Sequence, residues 1–178
     1  QDERVGQVLI LAVEQPGPEH LVVGDVVVHH EGHGAIPGQG EHLDEHLAHA
    51  FILGRDGGVP LVYSDHNESP HAADRDRWLD AWKRPDLAAM VRFHNAVHGT
   101  SMDVLHVSDT LLVFRRGERG IVAINKAGFG QWAEFGTWGL GNPGAYRELI
   151  HGHVMQMSGD RFGLFVPART AHVWLAGD

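Results

Sequence analysis

The chain has 178 residues, 43% hydrophobic and 21% charged, with a formal charge of −9 and no cysteine. That length holds one medium domain or two small ones of ordinary globular composition. The lack of a basic stripe argues against nucleic acid, the lack of an apolar run of about 20 residues argues against a membrane helix, and the lack of cysteine excludes disulfides and thiolate metal sites.

In chain order, residues 8–13 form a short continuous apolar run, the pattern of a strand buried on both faces. Gln15-Pro16-Gly17-Pro18 breaks it, and residues 21–28 form a second β-branched run. The glycines between Gly32 and Gly40 mark a loop. A helix follows, with Leu43, Leu47, Ala50 and Phe51 at helical spacing and Gly54 where a C-cap glycine belongs. The Arg55-Asp56-Gly57-Gly58 turn leads into a short strand at 59–63. Strand, helix and strand with short connections predict a βαβ unit and a parallel sheet. Residues 64–70 form a polar loop at that strand's C-terminal end. Residues 74–82 look helical, with Trp78 and Trp82 packing on one face. A stronger helix starts at Pro85, with Leu87, Met90, Val91 and His94 on one face and Gly99 at its end.

The pattern changes near Thr100. Short strands are predicted at 104–107, 110–114, 121–125, 146–150, 153–157, 161–166 and 171–175. Hairpin turns are expected at Gly117-Glu118-Arg119-Gly120 and Ser158-Gly159-Asp160. Such a run implies an antiparallel sandwich or barrel. The fold class is therefore α/β plus all-β, with a partial strand–helix unit over 1–99 and an antiparallel β-domain over 100–178.

Several blocks resemble the α-amylase family, glycoside hydrolase family thirteen. Residues 44–65, centred on Phe51-Ile52-Leu53-Gly54-Arg55-Asp56-Gly57-Gly58-Val59-Pro60-Leu61-Val62-Tyr63, resemble its penultimate barrel helix and barrel strand eight. Met90-Val91-Arg92-Phe93-His94-Asn95-Ala96-Val97-His98-Gly99 is similar to the last barrel helix. Leu112-Val113-Phe114-Arg115-Arg116-Gly117 and Gly120-Ile121-Val122-Ala123-Ile124-Asn125-Lys126 are similar to the first hairpin of the C-terminal β-domain. Residues 165–175 resemble its last strand. These blocks stand in family order. The resemblance implies the last units of a (β/α)8 barrel followed by a β-sandwich, acting on or binding α-1,4-glucans or oligosaccharides. It also implies an extracellular or periplasmic setting.

Family members use a carboxylate nucleophile and a carboxylic acid on either side of the scissile bond. The nucleophile's Gly-x-Arg-x-Asp pattern is absent from this sequence, so the chain alone is expected to be inactive. The resemblance makes Glu14 the candidate for the acid that follows barrel strand five. It sets His30 and Glu31 at the position of the histidine and third carboxylate after strand seven, where such a group holds sugar hydroxyls as charge develops. Asp65 and Asn67 follow a strand at its C-terminal end, where barrels carry their sites, and are candidates for substrate contact; Asp65 can instead cap a turn. The family's calcium site is built largely from parts absent here.

Fifteen histidines are present, six of them between His29 and His49. His42, His46 and His49 share one helix face, and His42-Leu43-Asp44-Glu45-His46 fits the H-x-x-E-H zinc pattern. The alternative is a solvated polar face. Trp132 and Trp138 either stack on sugar rings or belong to the β-domain core, and the core is the expectation. The three functional readings are an α-amylase portion, a non-catalytic carbohydrate-binding module and a histidine-rich metal-binding protein. The chain opens at Gln1 without Met, which predicts a processed protein or a piece of a longer one, missing the N-terminal barrel half. Open strand edges predict self-association.

Overall fold

The computed structural model describes residues 12–13, 40–60, 84–141 and 145–177, with side chains described from residue 45 onward. The first half contributes β1 (Ala12–Val13), α1 (Gly40–Gly54), β2 (Val59–Pro60) and α2 (Pro85–Ala96). The second half is all strand: β3 (Met102–Val107), β4 (Leu111–Arg116), β5 (Gly120–Asn125), β6 (Gln131–Gly136), β7 (Ala145–Glu148), β8 (Val154–Gln156), β9 (Arg161–Val166) and β10 (Thr170–Ala176).

Seven of these eight strands coincide with the predicted runs. β6 is the one the sequence pattern hides. Its alternation is clear in the fold, with Ala133 and Phe135 buried and Trp132 and Glu134 exposed. Gly128 and Gly130 precede it, Gly136 ends it and Gly139 follows, and its largest aromatic faces outward, so hydropathy alone reads it as loop.

Strands β3-β4-β5-β10-β7-β8 form a six-stranded antiparallel sheet, and β6 and β9 form a separate antiparallel pair. Successive side chains on a strand point to opposite faces, and here both faces of the central strands are covered. On one face Phe114, Val122, Ala171, Val173 and Leu175 meet Leu47, Ala50 and Leu53 of α1 and Leu87, Met90 and Phe93 of α2. On the other, Leu111, Val113, Ile121, Ala123 and Trp174 meet Ala133, Phe135, Leu164 and Val166 of the β6–β9 pair. Helices, large sheet and small sheet thus form three layers with two cores.

The helices depart from their predicted faces in instructive ways. In α2 the buried stripe is Leu87, Met90, Phe93 and Val97; Val91 is exposed. His94 turns instead to the end of α1, its Nδ1 3.0 Å from the Leu53 carbonyl oxygen. Gly54 is not a left-handed cap. A Cβ there would lie 3.0 Å from Phe114 Cζ and from Val122 Cγ2, so the glycine lets α1 approach the sheet closely. Gly99, in contrast, does sit past its helix with φ of 77°, as a C-terminal glycine should.

The strand at 21–28 on which the expected parallel sheet rests lies outside the described residues, and the strand pair described in this half is antiparallel. β1 and β2 pair antiparallel, Ala12 opposite Pro60 and Val13 opposite Val59. The runs at 21–28 and 74–82 lie outside the described residues.

Candidate functional site

Glu14, His30, Glu31, Asp65 and Asn67 lie outside the described residues, as do Trp78, Trp82 and the side chain of His42. The described residues hold three other polar or aromatic constellations, built on α1, on the β6–β9 pair and on β7–β10.

The first is the histidine face of α1. At His46 and His49 it is turned away from solvent, not solvated. His46 Nδ1 lies 3.1 Å from Asp86 Oδ2 in the first turn of α2. Arg84 donates to both oxygens of Asp86, from Nη2 at 2.7 Å and from Nε at 3.2 Å. Its Nη1 also reaches Glu45 Oε1 at 3.4 Å. The His46 bond, followed by those from Arg84, holds the Asp86 carboxyl well below the usual carboxylate range. Glu45 and His46 of the H-x-x-E-H pattern are thus committed to an interhelical ion network. His49 is buried beside Glu45, and burial first, then the Arg84 charge, pushes its imidazole down to about 4.

That shift has a definite sign. An unfolded imidazole titrates near 6.5, whereas folded His49 stays neutral until about pH 4. The fold prefers the neutral ring. The corresponding stability is fully present above about pH 6.5 and is lost as pH falls from there toward 4. Unfolding free energy from urea titrations is expected to drop by about 3 kcal/mol across this window through His49. His49→Leu should flatten that limb. Parallel pH curves for parent and variant would remove His49 from the account.

The second constellation is an aromatic shelf. Cross-strand pairing sets Trp132 of β6 opposite Phe165 of β9, while their neighbours Ala133 and Leu164 point into the core. Trp132 is 67% exposed and Phe165 47%, with ring centroids 5.4 Å apart. The shelf borders an open groove of about 430 Å³ whose other walls include Val154, Met155, His153 and His172. Trp138 is also 67% exposed, with the Arg115 guanidinium 5.0 Å from its ring. Both tryptophans therefore leave the core expected for them. The core between the two sheets is filled instead by Phe135, Tyr146, Leu164 and Trp174.

The third is centred on Glu148 at the end of β7, with no exposed surface. Its Oε1 accepts the Val173 N–H at 3.1 Å, and its Oε2 accepts those of Ile150, at 3.1 Å, and His151. His151 Nδ1 lies 3.1 Å from Oε2 and His172 Nδ1 lies 3.7 Å from Oε1. Burial pushes this carboxyl up, but the facing His172 ring and the three backbone N–H groups reverse the effect and hold it at about 2. Sequence reasoning passed over this group because His172 is brought to Glu148 only by the β7–β10 pairing. The one local signal was Glu148 and His151 at i, i+3.

No family model matches the chain. An α-amylase of Aeromonas hydrophila is 40% identical to it over 131 residues, which is 71% of this chain and 28% of that protein. Among solved structures, an α-amylase from Malbranchea cinnamomea superposes with a TM-score of 0.58 at 18% identity, covering 75% of this chain and 32% of that one. An α-amylase from Geobacillus thermoleovorans complexed with acarbose gives 0.53 at 17%, covering 74% and 32%. A variant of α-amylase I from Eisenia fetida in complex with maltohexaose gives 0.57 at 19%, covering 80% and 37%. The structural likenesses establish the fold, and the sequence likeness carries the kinship. This chain, which spans about a third of the length of these relatives, belongs to the α-amylase family, glycoside hydrolase family thirteen.

Proposed function

We propose that the chain is the C-terminal portion of an α-glucan-hydrolysing amylase, and that it contributes substrate contact rather than the complete catalytic apparatus. Residues 1–99 in this reading supply the last strand–helix units of a (β/α)8 barrel, and residues 100–178 supply a β-sandwich domain. The observation that carries it is the 40% identity to the Aeromonas hydrophila α-amylase over 131 residues. Glu14 and Glu31 are the proposed carboxylates facing the sugar, with His30, Asp65 and Asn67 as hydrogen-bonding partners. No Gly-x-Arg-x-Asp nucleophile stands in the sequence, so the 178-residue chain is proposed to release no reducing sugar from soluble starch by itself. Measurable turnover by the purified chain would overturn that half of the reading.

The other half is glucan binding, and the aromatic shelf supports it. The apolar C–H face of a glucose ring packs on an exposed aromatic face, and Trp132 beside Phe165 offers such a surface at a groove edge. Depletion onto granular starch should follow a simple isotherm that Trp132→Ala weakens about tenfold, or ~1.4 kcal/mol. Trp132 is a surface residue, so the variant should keep its thermal unfolding midpoint. Equal binding by parent and variant would place glucan contact elsewhere.

A further inference from the structure

We infer that Glu148, His151 and His172 form a binding site for a divalent transition-metal ion of the zinc class. One ligand atom from each of the three lies within 4.8 Å of the others. A tetrahedral ion with bonds of about 2.0–2.2 Å sets its ligand atoms roughly 3.3 Å apart. His151 Nδ1 stands 3.1 Å from Oε2 and His172 Nδ1 stands 3.7 Å from Oε1, so an imidazole flanks each oxygen of the one carboxylate at close to that spacing.

His172 carries the second, independent observation. Its side chain is 9% exposed, and its Nδ1 has no hydrogen-bond partner among the described residues. A buried polar atom left so costs about 1–3 kcal/mol. It faces Glu148 Oε1 at 3.7 Å, too far for a shared proton. Two coordination bonds meeting at a wide angle span that gap.

The surroundings match the donor set. Two imidazole nitrogens with one carboxylate oxygen suit zinc, copper or nickel, whereas calcium and magnesium want oxygen shells. Backbone N–H groups of Ile150, His151 and Val173 fix the Glu148 carboxylate, which is the outer-shell support that ligating carboxylates have. His151 is 41% exposed and His172 lines the groove below Trp132, so an ion has a path in and a water a fourth position. This site is independent of the glucan reading and of the His42–His46 helix face.

The test is titration of the full chain with Co2+, read by visible absorption, and with Zn2+, read by equilibrium dialysis. The parent should take up one ion per chain, show the intense d–d bands of four-coordinate cobalt, and gain thermal stability with Zn2+. His151→Ala and His172→Gln should each weaken binding about tenfold or more and lose the bands. His42→Ala combined with His46→Ala should change neither. His151 stands in an exposed turn, so its variant should match the parent's unfolding midpoint in chelator, which separates lost ligation from lost fold. Absence of stoichiometric uptake, uptake unchanged in His151→Ala, or uptake lost only with the His42 and His46 pair would each overturn the assignment.

Discussion

Replacing Arg116 with methionine is expected to remove about 3 kcal/mol or more of unfolding free energy, lowering the thermal midpoint by roughly 10 °C. Arg116 ends β4 and is 2% exposed. Its Nη1 donates to the carbonyls of Gly54, at 2.6 Å, and Arg55, at the C-terminal end of α1. Its Nη2 donates to those of Val97, at 3.2 Å, and Thr100, at 2.9 Å, just past α2. The last carbonyls of a helix have no intrahelical donor, and they carry the negative end of its dipole. One planar guanidinium therefore satisfies the ends of two helices at once and pins both to the sheet. Burial lowers its proton affinity, and the nearby Asp56 charge opposes that. Methionine keeps much of the packing but removes the Arg116 donors from the carbonyls of Gly54, Arg55 and Thr100, while that of Val97 keeps the N–H and hydroxyl of Thr100. Lysine is not a substitute, because one ammonium cannot fork toward both helix ends, and Arg116→Lys should lose more than half as much. Urea unfolding of the three proteins decides the matter; a loss under about 1 kcal/mol for Arg116→Met would show that water replaces the clamp.

The clamp also marks the limit of what the sequence discloses. Strands β4, β5, β9 and β10 were legible because buried central strands write themselves as apolar runs between turn residues. The helices were legible from their spacing and from Pro85. Family kinship was legible in Phe114 to Lys126 and in the closing strand, where packing constrains nearly every position. What was not legible shares one physical cause: long-range placement. Nothing local says that Arg115 will lie largely buried beside Trp138 while Arg116 closes two helices. Nothing local brings His172 to Glu148, or turns His46 toward Asp86 instead of water. The core is the expectation for a large aromatic such as Trp132, but in a strand its side is set by register. Ala133 and Phe135 claim the inner face, so Trp132 must face out.

The three layers suggest a division of labour within the chain. The helix-covered face of the sheet joins α1 and α2 to the β-domain through one core, so this part of the molecule is held as a unit. The opposite face carries the β6–β9 pair, whose outer surface bears the Trp132–Phe165 shelf. Any role of that shelf depends on the pair staying fixed to the large sheet, and one polar residue does much of the fixing.

That residue is Asn125, and Asn125→Ala is expected to cost about 3 kcal/mol. It ends β5 with no exposed surface. Its Nδ2 lies within hydrogen-bond distance of the carbonyls of Phe129, at 2.9 Å, Val166, at 3.1 Å, and Pro167, at 2.9 Å. Its Oδ1 accepts from the Ala127 N–H at 2.9 Å and from Gln131 Nε2 at 2.7 Å. Gln131 also donates to Thr110 Oγ1 at 2.9 Å. The network joins the end of β5 to the start of β6 and the end of β9, across the gap between the two sheets. Only one orientation of the amide satisfies it, because the three carbonyls need a donor and the Ala127 N–H needs an acceptor. Aspartate has the same shape but no donor. Asn125→Asp should therefore destabilise more than Asn125→Ala at neutral pH, since it aims a buried charge at three carbonyl oxygens. Asn125→Ala and Gln131→Ala should be coupled by about 0.5–3 kcal/mol in a double-mutant cycle read by urea unfolding. Additive losses would mean that the two amides act separately, and an aspartate variant as stable as the parent would mean that the tie is wet.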